Sequence, residues 1–175
     1  MRGFLNFFLL FCSIAVYAQL DSKLDSIARV NAELETPGNL ISYYGVKPGP
    51  EEKTYSITIT VTGIRNTKGT IRFKFYDDAT GFPHDKGFLR IVVPKSEVVD
   101  GALTKTYYGF RRQSMAIALL DDENDDLKLA MGWFFPKEGH AFSDYYHTAL
   151  RRPVYSDFKF VLTGDKKVLM VMKYY

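Results

Sequence analysis

The chain has 175 residues, 46% of them hydrophobic and 15% aromatic, with a formal net charge of +3 and a single cysteine. So weak a charge, carried by basic residues scattered along the chain, excludes a nucleic-acid-binding reading. With Cys12 alone, an internal disulfide is excluded as well, so stability must rest on a hydrophobic core.

The N-terminus has the pattern of a secretory signal peptide. Arg2 supplies a positive start, and the stretch from Phe4 to Val16 is apolar apart from Asn6 and Ser13. Val16-Tyr17-Ala18 then places small residues where cleavage before Gln19 needs them. The apolar run is shorter than the roughly 18 residues of a spanning helix, so removal of residues 1–18 is expected rather than anchoring. Phe11 stands before Cys12 where a lipobox needs a small residue, and Cys12 leaves with the signal. The expected address is outside the inner membrane: periplasmic, secreted or associated with the cell surface, with no transmembrane segment after cleavage.

Residues 19–52 form an extension. Leu20, Leu24, Ile27, Val30 and Leu34 share one helical face, which predicts a helix from Ser22 to Glu35, and Pro37-Gly38 ends it. Asn39 to Glu52, with Pro48-Gly49-Pro50, reads as a linker.

From Lys53 to Tyr175 the period changes to two. Tyr55, Ile57, Ile59 and Val61 alternate with Ser56, Thr58, Thr60 and Thr62, and Ile71, Phe73 and Phe75 alternate after Asn66-Thr67-Lys68-Gly69. The two runs read as a β-hairpin. Further strands are predicted at Phe88 to Val93, Ala102 to Tyr108, Ser114 to Leu120, Asp157 to Thr163 and Val168 to Tyr174. The run around Ile117 is apolar on both faces and so reads as a central strand. About seven short strands separated by turns indicate an all-β domain, an immunoglobulin-like antiparallel β-sandwich over residues 53–175. The connection from Asp121 to Ser156 is too long to be idle in such a domain.

That connection holds the candidate site residues. Asp122, Asn124 and Asp126 alternate as in the opening of a calcium loop, where hard oxygen donors surround a hard cation. Leu127 and Trp133 stand where such a loop has its turn glycine and its closing glutamate. Trp133, Phe135, Glu138, His140, Phe142 and Asp144 make up a candidate interaction loop. Glu138, His140, Asp144 and His147 are the groups a hydrolase-like or zinc chemistry would use, although their spacing is loose. Ser114 and Ser143 lack a nucleophile-elbow motif, and there is no phosphate-cradling glycine loop. Arg111-Arg112 and Arg151-Arg152 are pairs able to clamp an anion.

Four segments carry a family resemblance. They are Ile59 to Arg72 with Gly81-Phe82-Pro83, Ala116 to Asn124, Pro136 to Ser143, and Arg152 to Phe160. In order and spacing the chain resembles the secreted bacterial family catalogued as domain of unknown function 2141. That resemblance implies an exported β-sandwich and brings no activity with it. This chain has Asp121 where the family loop has histidine. The expected role is a non-enzymatic binding or interaction module of the Gram-negative cell envelope, with an envelope protein, peptide or glycan as partner and no obligatory cofactor. The alternatives are a calcium-stabilised module built on the acidic loop and an enzyme built on residues 138–147.

Overall fold

A computed structural model describes residues 47–85, 87–125, 138–144 and 152–175, together with 22, 25, 26, 29 and 31–35 of the N-terminal extension. The signal segment therefore lies outside the described residues, as do Asp126, Trp133, Phe135 and His147. No helix among the described residues is long and apolar enough to cross a membrane.

The two-residue rhythm sets the strands. The chain runs β1 (Thr54–Thr62), β2 (Thr70–Tyr76), β3 (Leu89–Pro94), β4 (Leu103–Arg111), β5 (Gln113–Asp122), β6 (His140–Phe142), β7 (Phe160–Leu162) and β8 (Lys166–Val171). A short helix, Tyr155–Phe158, precedes β7. The strands form two sheets. One has the order β4-β1-β8; the other has β3-β2-β5-β6, with β7 also paired to β5. Most pairs are antiparallel, whereas β8 lies parallel to β1. Ile57, Ile59 and Val61 from one sheet and Ile71, Phe73 and Phe75 from the other are buried in a single core, joined by Ile91, Val93, Tyr107, Met115, Ile117, Val168 and Met170. Each such side chain contributes about 1.5–3 kcal/mol by leaving water. The outer face of β1 is polar, and its threonines pair across to β4 through Thr58–Thr106 (2.9 Å) and Thr60–Thr104 (3.2 Å).

Two expectations from the sequence are corrected. β1 and β2 are not a hairpin, because they lie in different sheets. Both runs bury their alternate residues in the same core from opposite sides, and residues 63–69 carry the chain from one sheet to the other. Ile64 is buried on the way across, and Gly63 and Gly69 turn the chain at positive φ. Gly69 is also a point of close approach, since a Cβ there would lie 2.0 Å from the Asp122 carbonyl oxygen. The second correction concerns the run from Asp157. Tyr155–Phe158 is a helical turn and only Phe160–Leu162 is strand. An extended chain would aim Phe158 and Leu162 at the same face. The turn instead sends Phe158 to the outside of the five-stranded sheet while Leu162 stays in the inter-sheet core.

Both open sides of the sandwich are closed. On one side the helical residues 31–35 pack on the domain: Leu34 joins the core, Asn31 Nδ2 donates to the Val92 carbonyl of β3, and Glu35 pairs with Lys105 of β4 at 3.0 Å. The helix therefore spans edge strands β3 and β4 and docks rather than hanging on a tether. On the other side His140 and Lys173 exchange backbone bonds of 3.0 and 2.9 Å, and the Asp144 amide donates to the Leu169 carbonyl at 3.0 Å.

Candidate functional site

Strand alternation places charge inside the molecule. The inward row of β5 runs Met115, Ile117, Leu119 and then Asp121, and that of β3 runs Ile91, Val93 and then Lys95. Beyond β8 the same parity continues through Met172 to Tyr174. Three inward rows thus end in polar side chains at one end of the sandwich, and buried polar groups must find partners there.

They find one another in a closed ring. The fully buried Lys95 ammonium lies 2.6 Å from Asp121 Oδ1, and the Asp121 carboxylate is equally buried. Lys95 Nζ also donates to Asn66 Oδ1 at 2.8 Å. The Tyr174 hydroxyl donates to Asp121 Oδ2 at 2.6 Å and accepts from the Arg65 amide at 3.2 Å. The Arg65 guanidinium stacks over the Tyr174 ring at 4.4 Å and grips Glu123 with bonds of 2.6 and 2.9 Å. Asn66 Nδ2 closes the circuit by donating to Glu123 Oε1 at 2.8 Å. The Asp121 amide donates to the Gly139 carbonyl at 2.8 Å, which ties the start of β6 to the ring. Gly139 has to be small, because a Cβ there would lie 2.3 Å from the Tyr174 ring.

The surroundings shift the titrations. Burial raises the Tyr174 hydroxyl, and its bond to Asp121 raises it further. The hydrogen bond from Arg65 lowers Glu123 below its ordinary 4.5, assisted by Asn66 and opposed by partial burial. The unfolded chain therefore takes up this proton first as pH falls. The stability contributed by Glu123 is present above about pH 4.5 and is lost as pH drops through the depressed folded value. Urea midpoints measured from pH 7 to pH 3 are expected to fall in that lower window, and Glu123→Gln is expected to flatten that part of the profile. An unchanged acid limb in the variant would contradict the assignment.

The acidic run that suggested a calcium loop is thus divided by alternation. Asp121 faces the core, while Asp122 is also fully buried and pairs with Arg72 Nε at 2.7 Å. Asn124 is exposed, and Asp125, at positive φ, accepts from Thr70 Oγ1 at 2.8 Å. A cation at Asp122 would have to displace Arg72. No group of three or more His, Cys, Asp or Glu side chains converges as a metal site among the described residues.

Within the expected interaction loop His140–Phe142 is a strand, and it breaks the long Asp121 to Ser156 connection in two. Glu138 is buried, and His140 stacks on Tyr175 with ring centroids 5.6 Å apart. Asp144 pairs with Lys166 at 2.7 Å. Phe142 sits outside the five-stranded sheet in a second apolar cluster with Tyr76, Phe82, Ala116, Ala118 and Phe158. It stacks on Phe158 at 4.3 Å, and Phe82 closes over both rings at 5.8 and 5.9 Å. Ser143, fully buried, accepts from the Ile117 amide at 3.0 Å and donates to the Phe158 carbonyl at 2.8 Å. Its role is to fasten β6 and the short helix to β5.

Of a different surface the sequence singled out Arg152 alone, as half of a pair able to clamp an anion. The outer face of β2 and β3 displays Lys74 and Arg90, and His84 and Arg152 lie beside them. Burial lowers the Lys74 pKa, and the like charges of Arg90 and Arg72 lower it further against Asp85. Burial also lowers His84 from its ordinary 6.5, followed by the charges of Arg152 and Lys74. Lys74 thus feels the charge of Arg90, and His84 feels those of Arg152 and Lys74. In the sequence they belong to four separate segments, so only the fold assembles the patch.

No curated protein and no solved structure matches the chain. The model of the bacterial family described as "Uncharacterized protein conserved in bacteria", domain of unknown function 2141, matches residues 59–169, a span that runs from within β1 to within β8 and holds most of the polar ring and the outer aromatic cluster, and the chain belongs to that family.

Proposed function

We propose that this chain is an exported, non-enzymatic interaction module of the cell envelope, and that its contact surface is the cationic outer face around Lys74, Arg90, His84 and Arg152. The supporting observation is the mutual charge crowding of these groups. Burial is the larger cause of the lowered Lys74 and His84, but the neighbouring cations add to it, and an anionic partner would offset that part. Asp121, Ser143, Glu138 and Phe142, the marked residues nearest to β5 and β6, are buried in the scaffold, which leaves them poorly placed to meet a partner. The partner this face suits is an anionic envelope glycan or an acidic protein surface.

The test is retention on a polyanion column, with heparin as the probe. The mature wild-type chain should bind at low salt and elute as salt screens the contact. Lys74→Gln combined with Arg90→Gln should elute at clearly lower salt while keeping the wild-type melting temperature. Equal elution of the two proteins would overturn the assignment of this face.

A further inference from the structure

The Lys95 amine touches both the Asn66 carboxamide and the Asp121 carboxylate. Lys95 Nζ is 2.8 Å from Asn66 Oδ1 and 2.6 Å from Asp121 Oδ1. A carbonyl bond of about 1.2 Å then keeps the amine within about 4 Å of Asn66 Cγ, close to the range of a near-attack geometry. The orientation of the Asn66 amide is fixed by its partners: the Lys68 amide donates to Oδ1 at 2.9 Å, and Nδ2 donates to Glu123 at 2.8 Å. Lys95 and Asp121 are fully buried, so water is kept from the amine and from the carboxylate beside it.

We propose that Lys95 and Asn66 become joined by an isopeptide bond in the folded protein, with Asp121 carrying the protons. Asp121 takes one proton from the Lys95 ammonium, and the neutral amine attacks Asn66 Cγ. The Lys68 amide supports the negative charge that develops on Oδ1. A second proton passes from the attacking nitrogen, through Asp121, to the amide nitrogen of Asn66. The Cγ–Nδ2 bond breaks, and ammonium leaves with the proton first taken from Lys95. Asp121 ends as the carboxylate it began as, and neither oxidant nor co-reactant is consumed. The product ties the crossover between the sheets to the end of β3, which constrains the unfolded chain.

The test is peptide mapping by tandem mass spectrometry of the folded mature protein. Intact mass alone does not decide, because an N-terminal glutamine that cyclises loses the same ammonia. The expected result is a branched tryptic species that joins the Asn66 and Lys95 peptides, lighter than their sum by one ammonia. The linear peptide ending at Lys95 should be depleted, and Asn66→Ala should restore it. Full recovery of linear, unmodified Asn66 and Lys95 peptides from the wild-type protein overturns the proposal, whether or not any variant folds. A branched species that instead joins Lys95 to Asp121 with loss of water overturns the assignment to Asn66.

Discussion

Replacing Lys95 by methionine, measured against the chain with Lys95 unlinked, is expected to lower the free energy of unfolding by about 3–5 kcal/mol, the cost of leaving a buried carboxylate without its cation. Lys95 and Asp121 are both fully buried, so no water replaces the lost partner. A domain of this kind has only about 5–15 kcal/mol in total, and the variant should therefore sit near the edge of folding. Urea unfolding followed by circular dichroism gives the number directly. A loss below about 1 kcal/mol, the level of an exposed ion pair, would show that water reaches the pair and that the ring is not an interior structure.

The second large effect is expected outside the sandwich. Phe142→Ala should cost about 3–5 kcal/mol, as deletion of a buried aromatic side chain does when its neighbours cannot collapse into the space. Phe142 is 3% exposed, stacked on Phe158 and covered by Phe82. Its loss should loosen the short helix and the loop carrying Phe82 before it affects the inter-sheet core. Amide hydrogen exchange should then show early loss of protection at Phe158 and Lys159, while β1 keeps its protection. If stability is unchanged, the cluster is surface decoration and Phe142 is free to act as a contact residue.

The periodicity of Thr54–Thr62 and Thr70–Tyr76 was enough to predict an all-β domain, since β-branched and aromatic residues on alternate positions can bury only one face. The apolar stretch around Ile117 announced a strand covered on both sides, and β5 is covered by the core on one face and by the Phe82 cluster on the other. Sheet membership was not legible, because two runs that bury the same parity look alike whether they are neighbours in one sheet or face each other across a core. β6 was missed because three residues are too few to show a period, and its pairing with β5 is a long-range contact. The polar ring did leave a signal. Asp121 and Lys95 each continue the inward parity of an apolar row, and an inward charge at the end of a strand demands a partner. The alternation of Asp122, Asn124 and Asp126 drew attention to a cation outside the protein, while the cations that do meet the acidic run are Lys95, Arg65 and Arg72. The cationic face was invisible in one dimension, because β2, the loop before β3, β3 itself and the segment before the short helix each contribute only a residue or two.

Asp121 is the member of the acidic run that faces the core and anchors the polar ring. A double-mutant cycle between Lys95 and Asp121 tests this most directly, with Lys95→Met, Asp121→Leu and the double variant compared by urea unfolding. The single variants should each be severely destabilised. The double variant should recover much of the loss, to a coupling of about 3 kcal/mol, less what the Tyr174 hydroxyl forfeits with its acceptor. Losses that simply add, within about 0.5 kcal/mol, would mean that the two residues do not meet in the folded protein and would contradict the interior ring.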